Sequence, residues 1–408
     1  MLKNHSPQIF WGFATKGVTF ALFYAVQILL VRRLGLHDYG LWSVFYSVFS
    51  VAMIFSCFGL NHSSRKYIAE HDKAAVLPDI LRSALKLRFW ASLFFALLWL
   101  ALSGPLSAAL GRPELGPLLR LSAPLLFLCG YVEQFKEFFI GLRRIDFNCA
   151  LNAAEYSGKI VFLLLFFAAA ATPERALGGF TAGCALSVLC GLWLLRHYMG
   201  TGTGEDFSRA LGFYAAPLLA SELFTALLSE LDTIVLGVCR PPEEVGLYSV
   251  AKQVMFKAPH LALALGMGVL PVFASRDGGL AALRPLFDRL LRVNGLLSSA
   301  LAALLVLLGG PVLSLLFGAE SRAAAAYFPW LLPYLFASTF NVYFSYLLEY
   351  RGRAGLIARH LAVSLAVSAA LLVLLAPGMG AKGAALAVSC GYVLLAWLNW
   401  RAARKLFV

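Results

Sequence analysis

The sequence predicts an all-α membrane protein of about twelve transmembrane helices, in two six-helix lobes related by a pseudo-twofold axis along the membrane normal. Three observations carry that expectation. Of the 408 residues, 60% are hydrophobic and only 13% charged, whereas soluble domains run near half apolar and about a quarter charged. Twelve apolar runs, each long enough to cross a bilayer at roughly 20 residues, follow one another with no connection longer than about 27 residues. Finally, a segment of the first half recurs 206 residues later.

The first run, 9–31, has no small-residue cleavage site after it, so it is expected to remain as a span rather than leave as a signal peptide. Runs at 39–60, 88–110, 118–142, 149–171 and 177–196 complete an N-terminal lobe over 1–196. The stretch 197–209, with Gly200, Gly202 and Gly204, reads as a cytoplasmic linker. Runs at 210–238, 246–271, 290–317, 323–349, 355–376 and 381–400 form a C-terminal lobe over 210–408. A closed barrel would need strands of about ten alternating residues, which these continuous runs are not. Prolines such as Pro124, Pro217, Pro259 and Pro271 mark expected kinks.

The repeat is legible in single letters. Tyr39-Gly40-Leu41-Trp42-Ser43-Val44 matches Val245-Gly246-Leu247-Tyr248-Ser249-Val250. Six spans per half insert both halves the same way up, which places a substrate path between parallel repeats near the midplane.

A net charge of +13 would suggest nucleic acid in a soluble protein. Placed on the topology it does something else. With the N-terminus inside, 21 Lys and Arg residues fall on the cytoplasmic side and 8 on the other, which sets both termini in the cytoplasm. The seven cysteines form no CxxC or His/Cys cluster, so no metal or cofactor is expected.

The five remaining basic residues lie inside spans, and all are lysines: Lys16, Lys136, Lys159, Lys252 and Lys257. A charge at the membrane centre costs about 2.5–3.5 kcal/mol on insertion scales, so such residues mark a cavity by default. Lys257 lies near mid-span, beyond reach of the interface, whereas Lys16 is shallow enough to snorkel. Glu133, Lys136 and Glu137 share one helical face, and Glu155 stands four residues before Lys159. Two readings stay open for that group: an internal salt-bridge lattice, or a polar vestibule open to the cytoplasm. Span seven carries Glu222 near mid-depth, with Glu230 and Asp232 further along; these are the candidates for ion coupling.

Several segments match a known pattern. They are Arg33-Leu34-Gly35-Leu36-His37-Asp38-Tyr39-Gly40, Ser64-Arg65-Lys66-Tyr67, Gly141-Leu142-Arg143-Arg144, Leu231-Asp232-Thr233-Ile234, Leu270-Pro271-Val272-Phe273 and Leu315-Leu316-Phe317-Gly318. In order and spacing the chain resembles the bacterial O-antigen and exopolysaccharide flippases, in the superfamily of multidrug exporters and lipid II flippases. The resemblance implies a V-shaped, twelve-helix inner-membrane transporter that moves undecaprenyl-diphosphate-linked oligosaccharide to the periplasmic leaflet by alternating access. It implies coupling to a proton or sodium gradient, and a polysaccharide polymerase and chain-length regulator as partners, alongside the membrane lipids. It also implies cavity cations from helices 1, 2 and 8. Lys16, Lys252 and Lys257 meet that pattern on helices 1 and 8, while the apolar part of helix 2 offers none.

The physics points the same way. A diphosphate cannot cross hydrocarbon unaided, and lysines bind it as point charges that release without rigid geometry. A cationic-drug exporter of the same superfamily would favour an acidic or neutral aromatic cavity. A polytopic polysaccharide polymerase or ligase would carry a large outer loop, and every outer connection here is short.

Overall fold

An apolar backbone segment in lipid must satisfy its own hydrogen bonds, and helix does so within one segment. The computed structural model describes residues 6–72, 75–266 and 279–407, and every regular element among them is helical. Fourteen α-helices are assigned: α1 (Ser6–Cys57), α2 (Leu60–Glu70), α3 (Leu77–Ala109), α4 (Leu115–Leu121), α5 (Ala123–Gly141), α6 (Ile145–Phe167), α7 (Pro173–Leu195), α8 (Ser208–Cys239), α9 (Pro242–Met255), α10 (Ala258–Gly266), α11 (Gly279–Phe317), α12 (Phe328–Tyr350), α13 (Ala354–Met379) and α14 (Ala381–Arg404).

Among the described residues, eight helices are individually long and apolar enough to span, nine with α4 and α5 counted as one span bent by 49°. Helix α1 is 52 residues long, about 78 Å if straight, and holds the first two runs. Gly35, at φ 74 and ψ 174, breaks it between them, in backbone space that only glycine enters at little cost. Pro124 opens α5 at the α4–α5 bend. The eighth run divides into α9 and α10 around Phe256 and Lys257. There Pro259 has no N–H to return to the Met255 carbonyl. Pro105, Pro311 and Pro333 sit inside helices that stay continuous. Lys3, Lys73, Arg276, the end of the eighth run and the Leu270–Phe273 motif with Pro271 lie outside the described residues.

The chain divides into two compact units. One comprises Met1–Asp38 with Val48–Leu223, the other Tyr39–Ser47 with Phe224–Val408. In the first unit α6 packs along α7, and α5 packs on α2, α3 and α7; the core there gathers Ile68, Ile80, Phe135, Phe138, Phe139 and Leu151. In the second, α14 packs on α12 and α13, with Tyr343, Phe344 and Leu347 central to one core cluster.

The stretch after α7 is held against the start of α3. Asp79 accepts from Thr203 N at 2.6 Å, Thr203 Oγ1 at 3.0 Å and Gly204 N at 3.1 Å. Arg82 donates to Gly200 O at 2.6 Å, and Ser83 Oγ accepts from Phe207 N at 3.0 Å. Gly202 lies so close to the Asp79 carboxylate that a β-carbon would overlap it.

Candidate functional site

Charge inside lipid is costly unless paired, and all the sequence-predicted residues but Lys16 and Lys257 are found in three ion-paired groups. In the first unit, α5 and α6 bring Glu133, Lys136, Glu155 and Lys159 together. Lys136 Nζ lies 2.8 Å from Glu133 Oε1 and 2.8 Å from Glu155 Oε2. Glu155 also bonds Lys159. Two acids and two lysines make the group neutral. Lys159 and Glu155 are buried, and the Lys159 ammonium also sits over the rings of Tyr156 and Phe180. Of the two readings open in the sequence, this arrangement has the geometry of the lattice.

A second group runs from α5 through α2 to α8. Arg65 Nη1 lies 3.1 Å from Glu137 Oε2. Its Nη2 lies 3.1 Å from His62 Nδ1, and His62 Nε2 lies 3.0 Å from Glu222 Oε1. A guanidinium only donates, so Nδ1 accepts and the ring hydrogen belongs on Nε2, directed at Glu222. Glu222 has no lysine within a turn and reads as unpaired in the sequence, but its partner is this histidine, 160 residues away. His62 lies on α2, outside the candidate spans, and its pKa is raised above the ordinary histidine value because Glu222 accepts its hydrogen. The group carries one net negative charge with His62 neutral and none with it protonated.

The third group is in the second unit. Lys252 Nζ lies 2.7 Å from Asp232 Oδ1, 2.8 Å from Thr233 Oγ1 and 3.5 Å from Glu230 Oε2. That uses all three ammonium hydrogens. Tyr248 donates to Asp232, and Ser47 donates to Glu230 Oε2 at 2.8 Å. Asp232 and Lys252 are buried, and the group has one carboxylate more than it has cations.

Lys16 is exposed on α1, and Lys257 is half-buried at the α9–α10 break, beside Phe256, whose ring stacks on Tyr334 at 4.0 Å.

One buried cation escaped the sequence reading. Arg88, counted there with the cytoplasmic residues, is completely buried on α3. It donates to Ser56 O at 2.9 Å, Cys57 O at 3.4 Å, Asn61 Oδ1 at 2.6 Å and Gln134 Oε1 at 2.6 Å. These include the last carbonyls of α1, freed where Phe58 and Gly59 take positive φ. Of the second group, Glu137 and Glu222 stood out in the sequence, whereas His62 and Arg65 were marked only by their i, i+3 spacing.

With the helices and their charged groups in place, comparison with known proteins decides the family. The model of the family described as polysaccharide biosynthesis protein matches residues 7–276. The chain belongs to that family. A relative, the amylovoran biosynthesis protein AmsL of Erwinia amylovora, is 24% identical over 248 residues, which is 59% of this chain and 63% of that protein. The match thus spans just under two thirds of the relative's length. Among solved structures, an inward-facing multidrug resistance transporter of the MATE family aligns with TM-score 0.77 and 14% identity, over 95% of this chain and 94% of its own. The lipid II flippase MurJ, in an inward closed conformation, aligns with TM-score 0.74 and 12% identity, over 97% and 87%. A transporter of the same superfamily from Pyrococcus furiosus aligns with TM-score 0.72 and 14% identity, over 98% and 94%. At these identities the likeness is one of fold. The chain has the all-helical fold expected from the sequence, shared with those transporters, and its membership of a polysaccharide biosynthesis family agrees with the resemblance read from its motifs.

Proposed function

We propose that this protein flips undecaprenyl-diphosphate-linked oligosaccharide from the cytoplasmic to the periplasmic leaflet of the bacterial inner membrane by alternating access, without covalent chemistry or a cofactor. The observation that carries this reading is the family match over residues 7–276 on a transporter fold. The fold match to a lipid II flippase and the identity to an amylovoran biosynthesis protein support the lipid-linked sugar as passenger. Chemistry agrees, since the exposed Lys16 offers a cation to a diphosphate, and Lys257 adds a second lysine at the α9–α10 break.

Coupling is to a cation gradient, with proton and sodium as the candidates. Two groups suit it: Glu222 with His62, whose net charge changes with one proton, and Glu230 with Asp232, which exceed Lys252 by one carboxylate. A polymerase and a chain-length regulator would act on the emerging product as partners.

The test is transport of a short undecaprenyl-diphosphate oligosaccharide into reconstituted vesicles, read by outside accessibility to a glycosidase. Gradient-stimulated flipping supports the reading. A second reading, cationic-drug antiport, is favoured by the fold match to a multidrug transporter; dye efflux without lipid flipping would establish it instead.

A further inference from the structure

In the second unit, α11 and α14 both pack on α12. Where α11 begins and α12 and α14 end, a cavity of about 310 Å³ opens between them. Its floor is apolar: Phe287, Phe344 and Ala403 are buried beneath it. Its rim is not. Arg284, Asp288, Trp400 and Arg404 line the cavity and are all exposed. None of the three described ion-pair sets reaches them, so two guanidiniums and one carboxylate face the same small space. Arg404 lies 5.7 Å from the Trp400 ring centre, which fixes it beside the mouth.

The surroundings say what fills such a rim. Val393, Trp397, Trp400 and Arg404 follow one another at four, three and four residues, on one face of α14. The three apolar members are 44%, 47% and 40% exposed. On α11, Val293, Leu296 and Leu297 are exposed one to two turns beyond Asp288. Both helices therefore expose apolar side chains close to the charged rim, and Trp400 ends the last apolar run, where indole rings favour the boundary between chains and headgroups.

We propose that this cavity binds the headgroup of a zwitterionic phospholipid bearing a primary ammonium beside its phosphate. The guanidiniums of Arg284 and Arg404 take the phosphate oxygens through charge-assisted hydrogen bonds, and the Asp288 carboxylate takes the ammonium. The acyl chains follow the exposed faces of α11 and α14. A headgroup with phosphate alone leaves Asp288 repelling it. A quaternary ammonium satisfies the charge but donates no hydrogen bond.

The experiment measures binding of short-chain phosphatidylethanolamine, phosphatidylglycerol and phosphatidylcholine, each below its micelle concentration, to the purified full-length protein. The expected result is that phosphatidylethanolamine binds about tenfold tighter than the other two. Replacing both arginines, Arg284→Gln with Arg404→Gln, weakens it by about tenfold or more. Asp288→Asn tightens phosphatidylglycerol binding and removes the preference for the ethanolamine headgroup. A control, Arg401→Gln with Lys405→Gln, removes two charges from the same helix end outside the cavity and leaves binding within about twofold. Equal affinity for the three lipids, or equal loss in the control, overturns the proposal. So does soluble phosphoethanolamine binding as tightly as the lipid, which would assign the cavity to a free phosphate ester.

Discussion

Arg88 heads the largest fully buried side chains, and its partners among the described residues are neutral oxygens of α1, α2 and α5. It closes the α1–α2 break as a C-terminal cap, where cations and donors suit the free carbonyls. Replacing it with leucine orphans several buried acceptors at about 1–3 kcal/mol each. Arg88→Leu is therefore expected to lose on the order of 3 kcal/mol, read as a fall in melting temperature in detergent, with Arg88→Lys intermediate; an unchanged melt would refute the cap. His62 makes a pH-dependent contribution whose sign follows from its raised pKa. A base with a raised folded pKa stabilises fully below its unfolded value, roughly 6.5, and loses that stabilisation as pH rises through the folded value. The melting difference between wild type and His62→Gln should thus be largest below about pH 6.5 and shrink as the pH rises through the raised folded value. A difference independent of pH would mean that protonation of His62 plays no part in the Glu222 contact.

The repeated glycines gain a physical role at the scale of helices. A β-carbon on Gly40 would lie 1.8 Å from Pro242 O and 3.1 Å from Gly246 N. The two glycines that marked the repeat therefore sit against each other, where α1 and the start of α9 touch backbone to backbone. Gln253 binds Tyr39 across the same contact. Gly40→Ala must push these helices apart, and overpacking of this kind costs about 1–3 kcal/mol; the measurement is the melting temperature beside that of Gly17→Ala, a position where a β-carbon meets nothing. The strap over α3 gives a second prediction. Asp79→Ala removes three hydrogen bonds to Thr203 and Gly204, so trypsin should cut at Arg209 several times faster, and an unchanged rate would argue against the latch. These elements also mark what sequence could and could not convey. The apolar runs were readable because hydrocarbon thickness fixes their length, and the first copy of the repeat because the close approach of Gly40 to Pro242 leaves no room for a β-carbon. The connection over 32–38 was expected to separate two helices, yet helix continues through it with a single break at Gly35. Arg88 left no pattern because it binds backbone carbonyls and amides, and the partner of Glu222 lies 160 residues away.

Taken across the whole molecule, the intramembrane lysines divide by what surrounds their ammonium groups, a division invisible in a charge count of +13. Lys136, Lys159 and Lys252 each bond carboxylates within one unit. Lys16 is exposed and Lys257 half-buried at a helix break. Removing one partner from a buried ion pair leaves an uncompensated charge and costs about 3–5 kcal/mol, whereas removing an accessible cation costs a fold little. The two classes should therefore fail differently. Lys159→Met and Lys252→Met are expected to lower the melting temperature by many degrees and to reduce the amount of folded protein in the membrane. Lys16→Ala should melt near wild type, and Lys16→Ala and Lys257→Ala should each slow flipping of the diphosphate-linked substrate by about tenfold, the worth of a charge-assisted contact of roughly 1.5 kcal/mol. Retention of the rate in Lys257→Arg, which keeps the charge, separates a contact with the passenger from a packing effect at the α9–α10 break. Should Lys257→Ala flip substrate at the wild-type rate while Lys252→Met folds normally and does not flip, the roles are reversed, and the passenger's phosphates must be met by the Asp232–Lys252 group after it opens.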